Sequence, residues 1–166
     1  MPSLPLRIAI LACDTPQDKV RAKYGTYGSI FTSLLNAGAK ALEPLLSPSD
    51  LQITAFDVVT RQEYPTLEDI DAILITGSKH NSFEDHPWIL KLVAFTEEIL
   101  KQRRVRIIGV CFGHQIVGRA LGTKVGRSDK GWETSVTALD LTQKGQEIFG
   151  QTALVRLSLH FPRIGG

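Results

Sequence analysis

The chain has 166 residues, a net charge of +2 and 43% hydrophobic residues, which suits one compact domain with a real core. Its densest basic cluster, Lys101 to Arg106, falls at a predicted helix end and not in a larger basic block, so we expect no nucleic-acid partner. No apolar segment approaches the length of about 18 residues that a membrane span needs, so we also expect no membrane partner. Cys13 and Cys111 form neither a disulfide framework nor a zinc spacing, which favours a reducing, cytoplasmic location without a metal.

Apolar runs alternate with helical periodicities over most of the chain. The pattern predicts strands over residues 7–12, 52–59, 71–77 and 107–110, and helices over residues 26–37, 88–102 and 113–121. Gly38 is the predicted stop of the first helix, and Pro87 lies near the start of the second. This alternation predicts an α/β fold, a mostly parallel sheet with helices on both faces.

Two further elements follow the last of these helices. Residues 133–141 alternate like a strand with one solvent-exposed face, and residues 142–149 form a predicted short helix capped by Thr142.

Cys111 lies in the sequence GVCFG, between a predicted strand and a predicted helix. A tight turn there would hold Cys111 in a strained conformation with its thiol exposed, and Gly109 and Gly113 would permit close backbone approaches. The helix N-terminus favours a thiolate, and the backbone amide of Phe112 could stabilise an oxyanion, which together suit acyl transfer. Because G-x-C-x-G is a weak pattern, a buried core cysteine is an equal alternative on these residues alone.

The longer run GVCFGHQIVGRALGTKVGR, with ILITGSKHNSFED upstream and GWE downstream, resembles the class I glutamine amidotransferase superfamily. Within it, the chain is most similar to stand-alone amidotransferase-like proteins and γ-glutamyl peptidases, from about residue 7 to about residue 150. The resemblance implies a flavodoxin-like fold, a small-molecule substrate that is glutamine or a γ-glutamyl amide, and no cofactor. Whether an ammonia-accepting synthase is a partner is left open by these residues.

The same resemblance implies roles for five residues. Cys111 matches the family's nucleophile, which forms a thioester with the substrate. Gly77 and Ser78 match the loop that supplies one oxyanion amide, and Phe112 matches the residue that supplies the other through its backbone. Gln115 matches a glutamine that shapes the substrate pocket. The alternatives are that Gly77 is only a turn glycine and that Gln115 is only an exposed polar residue.

The histidines near the motif and the second cysteine have other predicted roles. We expect His114 to lie at the surface or behind the site, and not to act as the base for Cys111. His80 and His86 are predicted to be polar loop residues, because no acidic or cysteine partner stands at metal-ligand spacing. Cys13, at the end of the first predicted strand, is expected in the core.

The sequence departs from the family after the nucleophile. The family's base and its orienting carboxylate come from a downstream His-Pro-Glu motif, whereas the only later histidine here is His160, in SLHFPRIGG. We therefore expect a partial amidotransferase-like domain over residues 1–154, a divergent tail over residues 155–166, and a fold that is incomplete at the C-terminus. An exposed apolar sheet edge and marginal stability would follow from such a truncation.

Two functions of different classes are compatible with these residues. One is a cysteine hydrolase acting on glutamine or γ-glutamyl amides, impaired because the His-Glu dyad is missing. The other is a non-catalytic pseudoenzyme or binding protein that keeps the floor of the pocket. A cysteine sensor built on a similar sheet fits the motif and GWE less well.

Overall fold

The computed structural model describes residues 5–127 and 134–159, and the chain divides into two compact units with the boundary after Gly126. The first unit contains, in chain order, β1 (Leu6–Ala12), α1 (Asp18–Tyr24), α2 (Tyr27–Ala41), β2 (Leu51–Asp57), β3 (Ala72–Ile75), α3 (Pro87–Gln102), β4 (Arg106–Gly109) and α4 (Phe112–Ala120). The second unit contains β5 (Thr134–Asp140), α5 (Gln143–Phe149) and β6 (Ala153–Leu159). No helix in these described ranges is both long and apolar enough to cross a membrane.

The four strands of the first unit form one parallel sheet in the order β2-β1-β3-β4. The register pairs Leu11 with Ile75 and Ile75 with Gly109. The carboxyl ends of all four strands therefore lie at the same edge of the sheet. Strands covered on both faces need continuous apolar runs, which is why RIAILA and AILI lack the alternation of a half-exposed strand.

Helices cover both faces of this sheet, as predicted. Leu11 and Ile75 belong to a core that also contains apolar side chains of α3 and α4. Ile10 points to the opposite face, where it is fully buried, and it pairs with Ala55 of β2. The start of α2 approaches that second face so closely that a Cβ on Gly28 would lie 2.7 Å from the Ala55 Cβ.

The helix α2 differs from the prediction at its C-terminal end. Its N-cap is Thr26, whose hydroxyl accepts a hydrogen bond of 3.2 Å from the Ser29 amide, but the predicted stop at Gly38 is wrong, since the helix continues to Ala41. One glycine in a helix costs only about 1 kcal/mol, and the alanines and lysine that follow it are strong helix formers. Pro44, shortly after the helix, cannot continue it.

The helix α1 was not predicted. It has only seven residues and none of them is buried, so the sequence carries no apolar stripe to reveal it.

The second unit is an antiparallel pair of strands joined through a short helix. The predicted strand is present as β5, although Glu133 lies outside the described residues, and Thr142 caps α5 by accepting a hydrogen bond of 3.2 Å from the Gly145 amide. The strand β6 was not predicted, and it crosses residue 155, where the divergent tail was expected to begin. The division of the chain at residue 154 stays a prediction, and His160 lies outside the described residues.

Asp71 ties the amino-terminal edge of the sheet together. Its carboxylate accepts hydrogen bonds from the Arg7 amide at 3.0 Å and from the Arg7 guanidinium at 3.1 and 2.9 Å, which joins β1 to the start of β3. Arg104, just after α3, lies 3.8 Å from the same carboxylate and donates to the carbonyl of Ile70. These hydrogen bonds, above all those from Arg7, lower the pKa of Asp71 from 3.8 to about 2.

This lowered pKa predicts a pH-dependent contribution to stability. The contribution is fully present above pH 3.8, the pKa in the unfolded chain, and is lost as the pH falls towards about 2. We expect Asp71→Asn to lower the free energy of unfolding by about 1–3 kcal/mol at pH 7, with the difference shrinking between about pH 4 and pH 2. Urea unfolding of both chains across that range measures it, with Asp18→Asn at an exposed carboxylate as the control. A constant difference at every pH would contradict the prediction.

Candidate active site

Cys111 stands at a sharp turn between β4 and α4. It is the N-cap residue of α4, its φ is 52° and its ψ is −106°, and its side chain is exposed. A non-glycine residue with positive φ costs about 1–3 kcal/mol and is held in place by its surroundings. The predicted strained turn with an exposed thiol is therefore present, and the alternative of a buried core cysteine is wrong for Cys111.

Two glycines make this turn possible. A Cβ on Gly113 would lie 2.3 Å from the carbonyl oxygen of Ile75, and one on Gly109 would lie 2.7 Å from backbone atoms of Gly113 and His114. Real Cβ atoms do not approach other atoms so closely, so both positions require glycine. The first turn of α4 thus packs directly on the backbone of β3, which brings Cys111 beside the loop that follows β3.

Gly77 lies in that loop and faces Cys111. A Cβ on Gly77 would be 3.7 Å from the Cys111 Cβ, which is ordinary van der Waals contact. The hydroxyl of Thr76 accepts a hydrogen bond of 2.9 Å from the Cys13 amide and donates one of 3.0 Å to the Gly77 carbonyl. Because the Gly77–Ser78 peptide bond is trans, the Ser78 amide points away from that carbonyl. The Cys13 amide, just after β1, therefore fixes the orientation of the Gly77–Ser78 peptide bond through the Thr76 hydroxyl. This peptide bond belongs to the loop that is predicted to supply an oxyanion amide.

Asp14 makes a second connection between the end of β1 and this loop. Its Oδ2 accepts a hydrogen bond of 2.7 Å from the Lys79 amide, and its Oδ1 accepts one of 2.7 Å from the Thr15 amide and lies 2.9 Å from the Lys79 ammonium. Burial raises the pKa of Asp14, but the hydrogen bonds from Lys79 and Thr15 outweigh burial and hold it below its usual value. The carboxylate is therefore charged at neutral pH.

The side chain of Phe112 anchors the start of α4 in the core. It is buried and stacks on Trp88 of α3, with ring centroids 5.6 Å apart and an interplanar angle of 27°. His80 packs edge-on against Trp88, with the two ring centroids 5.3 Å apart. The buried ring leaves the backbone amide of Phe112 at the first position of the helix, beside Cys111.

Gln115 lies on the first turn of α4 and contacts the loop after β3. Its Oε1 accepts a hydrogen bond of 2.9 Å from the hydroxyl of Ser82, which is almost fully buried. One turn further along, Arg119 donates to the carbonyls of Ser82 at 2.8 Å and Glu84 at 3.0 Å and pairs with Asp85. The loop from Ser78 to His86 is thus attached to the same helix that carries Cys111.

Ser82, Arg119, Asp14 and Thr76 were missed by the sequence analysis. Gln115 and Arg119 are four residues apart and share one helix face, which is a signal that the sequence does carry. The other three depend on which strands are neighbours, and the sequence alone does not give that order.

The three described histidines lie around this site in the positions expected of polar residues. His114 is exposed on α4, and His80 and His86 lie in the loop after β3 with rings 6.0 Å apart. His86 Nε2 lies 3.0 Å from a carboxylate oxygen of Glu84. Cys13 is fully buried, as predicted, and burial raises the pKa of its thiol to about 12.

Comparison with protein families gives one match over most of the chain. The model of the glutamine amidotransferase class-I family matches residues 27–158. A glutamine amidotransferase-like protein of Schizosaccharomyces pombe is 38% identical over 165 residues, covering 92% of this chain and 62% of its own length. γ-Glutamyl peptidase 4 of Arabidopsis thaliana is 31% identical over 156 residues, covering 90% of this chain and 57% of its own length.

Solved structures share the fold. A glutamine amidotransferase from Thermotoga maritima superposes with a TM-score of 0.65 at 17% identity, covering 93% of this chain and 60% of its own. One from Methylobacillus flagellatus gives a TM-score of 0.62 at 21% identity, covering 96% of this chain and 56% of its own. The fold is therefore the flavodoxin-like class I amidotransferase fold that the sequence predicted. The chain spans 56–62% of the length of these four proteins.

The close approach of α4 to β3 predicts that Gly113 tolerates no side chain. We expect Gly113→Ala to lower the free energy of unfolding by about 3 kcal/mol or more, because the new Cβ must displace the backbone of Ile75. Gly38→Ala is the matched control: nothing lies within 4 Å of its Cβ position, and alanine in the helix should stabilise the protein by about 0.5–1 kcal/mol. Urea denaturation measures both variants, and equal effects would contradict the proposed packing constraint.

The positive φ of Cys111 predicts an unusual order of stabilities. Glycine adopts this conformation without strain, so Cys111→Gly should be more stable than Cys111→Ala by about 1 kcal/mol. At Ala37, inside α2, alanine should instead be the more stabilising residue, and Ala37→Gly should lower the free energy of unfolding by about 1 kcal/mol. Thermal unfolding of the three variants provides the comparison. A Cys111→Ala protein at least as stable as Cys111→Gly would show that the turn is not strained.

Proposed function

This chain belongs to the class I glutamine amidotransferase family, and we propose that its Cys111 is the nucleophile of a cysteine hydrolase that acts on glutamine or γ-glutamyl amides. In this proposal Gly77, Ser78 and Phe112 form the oxyanion hole, and Gln115 contributes to the substrate pocket. The substrate is a small molecule, and the chemistry uses no cofactor.

The proposed reaction has two halves. The Cys111 sulfur forms a bond to the γ-carbonyl carbon of the substrate, and the C=O electron pair moves to the oxygen, where the amides of Ser78 and Phe112 donate to it. Collapse of this intermediate breaks the C–N bond, and the amine leaves with the thiol proton. Water then attacks the thioester, which releases the γ-carboxylate and restores the thiol.

One observation carries this proposal: the exposed thiol of Cys111 sits on a strained strand-to-helix turn directly opposite Gly77. The two required glycines let α4 pack closely on β3, and that packing leaves the Cys111 thiol exposed on a strained turn and not in the core. Strain of this kind concentrates at functional sites, where it holds a reacting group in place. A helix N-terminus also favours the negative charge that the sulfur and the oxyanion carry.

We further propose that these 166 residues hydrolyse the substrate slowly. None of the four histidines in the sequence is followed by Pro-Glu, so the dyad that activates the family's cysteine has no counterpart in this sequence. Loss of a base in comparable triads lowers the rate by roughly 10³-fold or more. Thioester formation would then depend on the fraction of Cys111 present as thiolate and on the oxyanion hole.

Glutamate release from glutamine and from a γ-glutamyl-cysteinyl peptide tests both parts of the proposal. We expect slow turnover by the purified chain, roughly 10³-fold or more below full-length relatives, that disappears in Cys111→Ala. Comparing the two substrates in a full-length relative separates the glutaminase from the peptidase. Turnover at the rate of those relatives, abolished by Cys111→Ala, would refute the impairment. Turnover that survives Cys111→Ala would refute the nucleophile.

The missing dyad also favours a second candidate, a non-catalytic pseudoenzyme or binding protein that keeps the floor of the pocket. Alkylation by iodoacetamide at neutral pH separates the two candidates, and Cys13 serves as an internal control because its thiol is buried and has a raised pKa. A nucleophile predicts that Cys111 reacts faster than free cysteine while Cys13 is protected. A Cys111 that reacts no faster than free cysteine would favour the binding protein.

A further inference from the structure

The order of the strands predicts a ligand-binding crevice at the switch point between β1 and β3. From β1 the chain crosses to β2, its neighbour in one direction along the sheet, and from β3 it crosses to β4, its neighbour in the other direction. The helices α2 and α3 lie on opposite faces of the sheet. The loops after β1 and β3 therefore diverge at the carboxyl edge, and in open α/β sheets this switch point is where ligands bind. Asp14 follows β1, Lys79 follows β3, and Cys111 follows β4, the next strand along.

An ion pair joins the loop after β1 to the loop after β3 at this switch point. The ammonium group of Lys79 lies 2.9 Å from Asp14 Oδ1, and the Lys79 side chain is 69% exposed whereas that of Asp14 is 6% exposed. Lys79 is only two residues from Gly77, which contacts Cys111. An exposed charged group is thus held on the loop whose Gly77 contacts the proposed nucleophile.

The two partners are not equally available to a ligand. Both oxygens of Asp14 are engaged, one by the Lys79 amide and the other by the Thr15 amide and the Lys79 ammonium. Because this carboxylate is buried and both of its oxygens already accept hydrogen bonds, it has little capacity to accept another. The ammonium has three N–H donors, and Asp14 is the only carboxylate in an ion pair with it among the residues that the structure describes. Lys79 is therefore the member of the pair that can bind an anionic group.

Tyr27, the first residue of α2, interacts electrostatically with the same group of side chains. Burial raises the pKa of Tyr27 most, Asp14 and Cys111 raise it further, and Lys79 lowers it. One hydroxyl group thus lies within electrostatic range of all three residues.

We propose that the Lys79 ammonium, held in place by Asp14, binds the α-carboxylate of the substrate and so selects for a free γ-glutamyl head group. The assignment rests on the proposed function. A γ-glutamyl compound carries its reacting carbonyl a few bonds away from its α-carboxylate, and Lys79 places a cation on the same loop as Gly77, which contacts Cys111. Amides without an α-carboxylate, or with that carboxylate esterified, would lack the anionic group that Lys79 binds.

The test uses the chloroketone analogue of glutamine, from which the Cys111 sulfur displaces chloride as a C–S bond forms and a C–Cl bond breaks. Its α-methyl ester lacks the carboxylate charge, and iodoacetamide reports the reactivity of the thiol alone. Intact-mass spectrometry gives the second-order rate of labelling for the parent chain, Lys79→Met and Lys79→Arg. Lys40→Met, at an exposed lysine in the last turn of α2, is the matched control.

We expect Lys79→Met to slow labelling by the acid roughly 10- to 100-fold, the range of a hydrogen bond to a charged group. Labelling by the ester and by iodoacetamide should not change, Lys79→Arg should retain most of the rate with the acid, and Lys40→Met should match the parent chain. An unchanged rate with the acid in Lys79→Met would overturn the assignment, as would an equal loss with all three reagents. A parent chain that reacts no faster with the acid than with the ester would overturn the substrate class, and the Lys79 assignment with it.

Discussion

The packing of α4 directly against the backbone of β3 is the constraint on which the rest of the site depends. Gly113 allows it, since even one methyl group there would overlap the carbonyl of Ile75. Only Val110 and Cys111 then separate β4 from α4, and Cys111 takes a positive φ to make the turn. The burial of Phe112 against Trp88 fixes the other side of the same turn. The exposure of the Cys111 thiol is thus a consequence of tight packing beneath it.

The loop opposite the thiol is held from two directions. From β1, the Cys13 amide and the Asp14 carboxylate hold the segment from Thr76 to Lys79 through hydrogen bonds. From α4, Gln115 and Arg119 hold the later part of the loop. Thr76 and Ser82 are among the few buried polar residues in the described part of the chain, and both have hydrogen-bond partners here. Buried polar groups that are fully satisfied fix one geometry, which is what a site for a short-lived oxyanion needs.

Much of this arrangement is visible in the sequence, because it depends on local signals. Continuous apolar runs mark the buried strands, and glycines two residues on either side of Cys111 mark the turn. The end of α2 was misplaced because Gly38 is a helix breaker only by average preference, and its neighbours favour the helix. The pairs Asp14–Lys79 and Ser82–Gln115 lie far apart in the sequence and meet only once β1, β3 and α4 are neighbours. Such long-range pairs depend on topology, which no local pattern of a single sequence contains.

The attachment of Arg119 to the main-chain carbonyls of Ser82 and Glu84 has a consequence for evolution. Hydrogen bonds to main-chain carbonyl oxygens do not depend on which side chains Ser82 and Glu84 carry. Exposed positions in the loop, such as Phe83, can therefore change identity while the path of the backbone stays the same. New ligand preferences could arise in this protein by exchange of loop side chains, without reinvention of the scaffold that presents the sulfur.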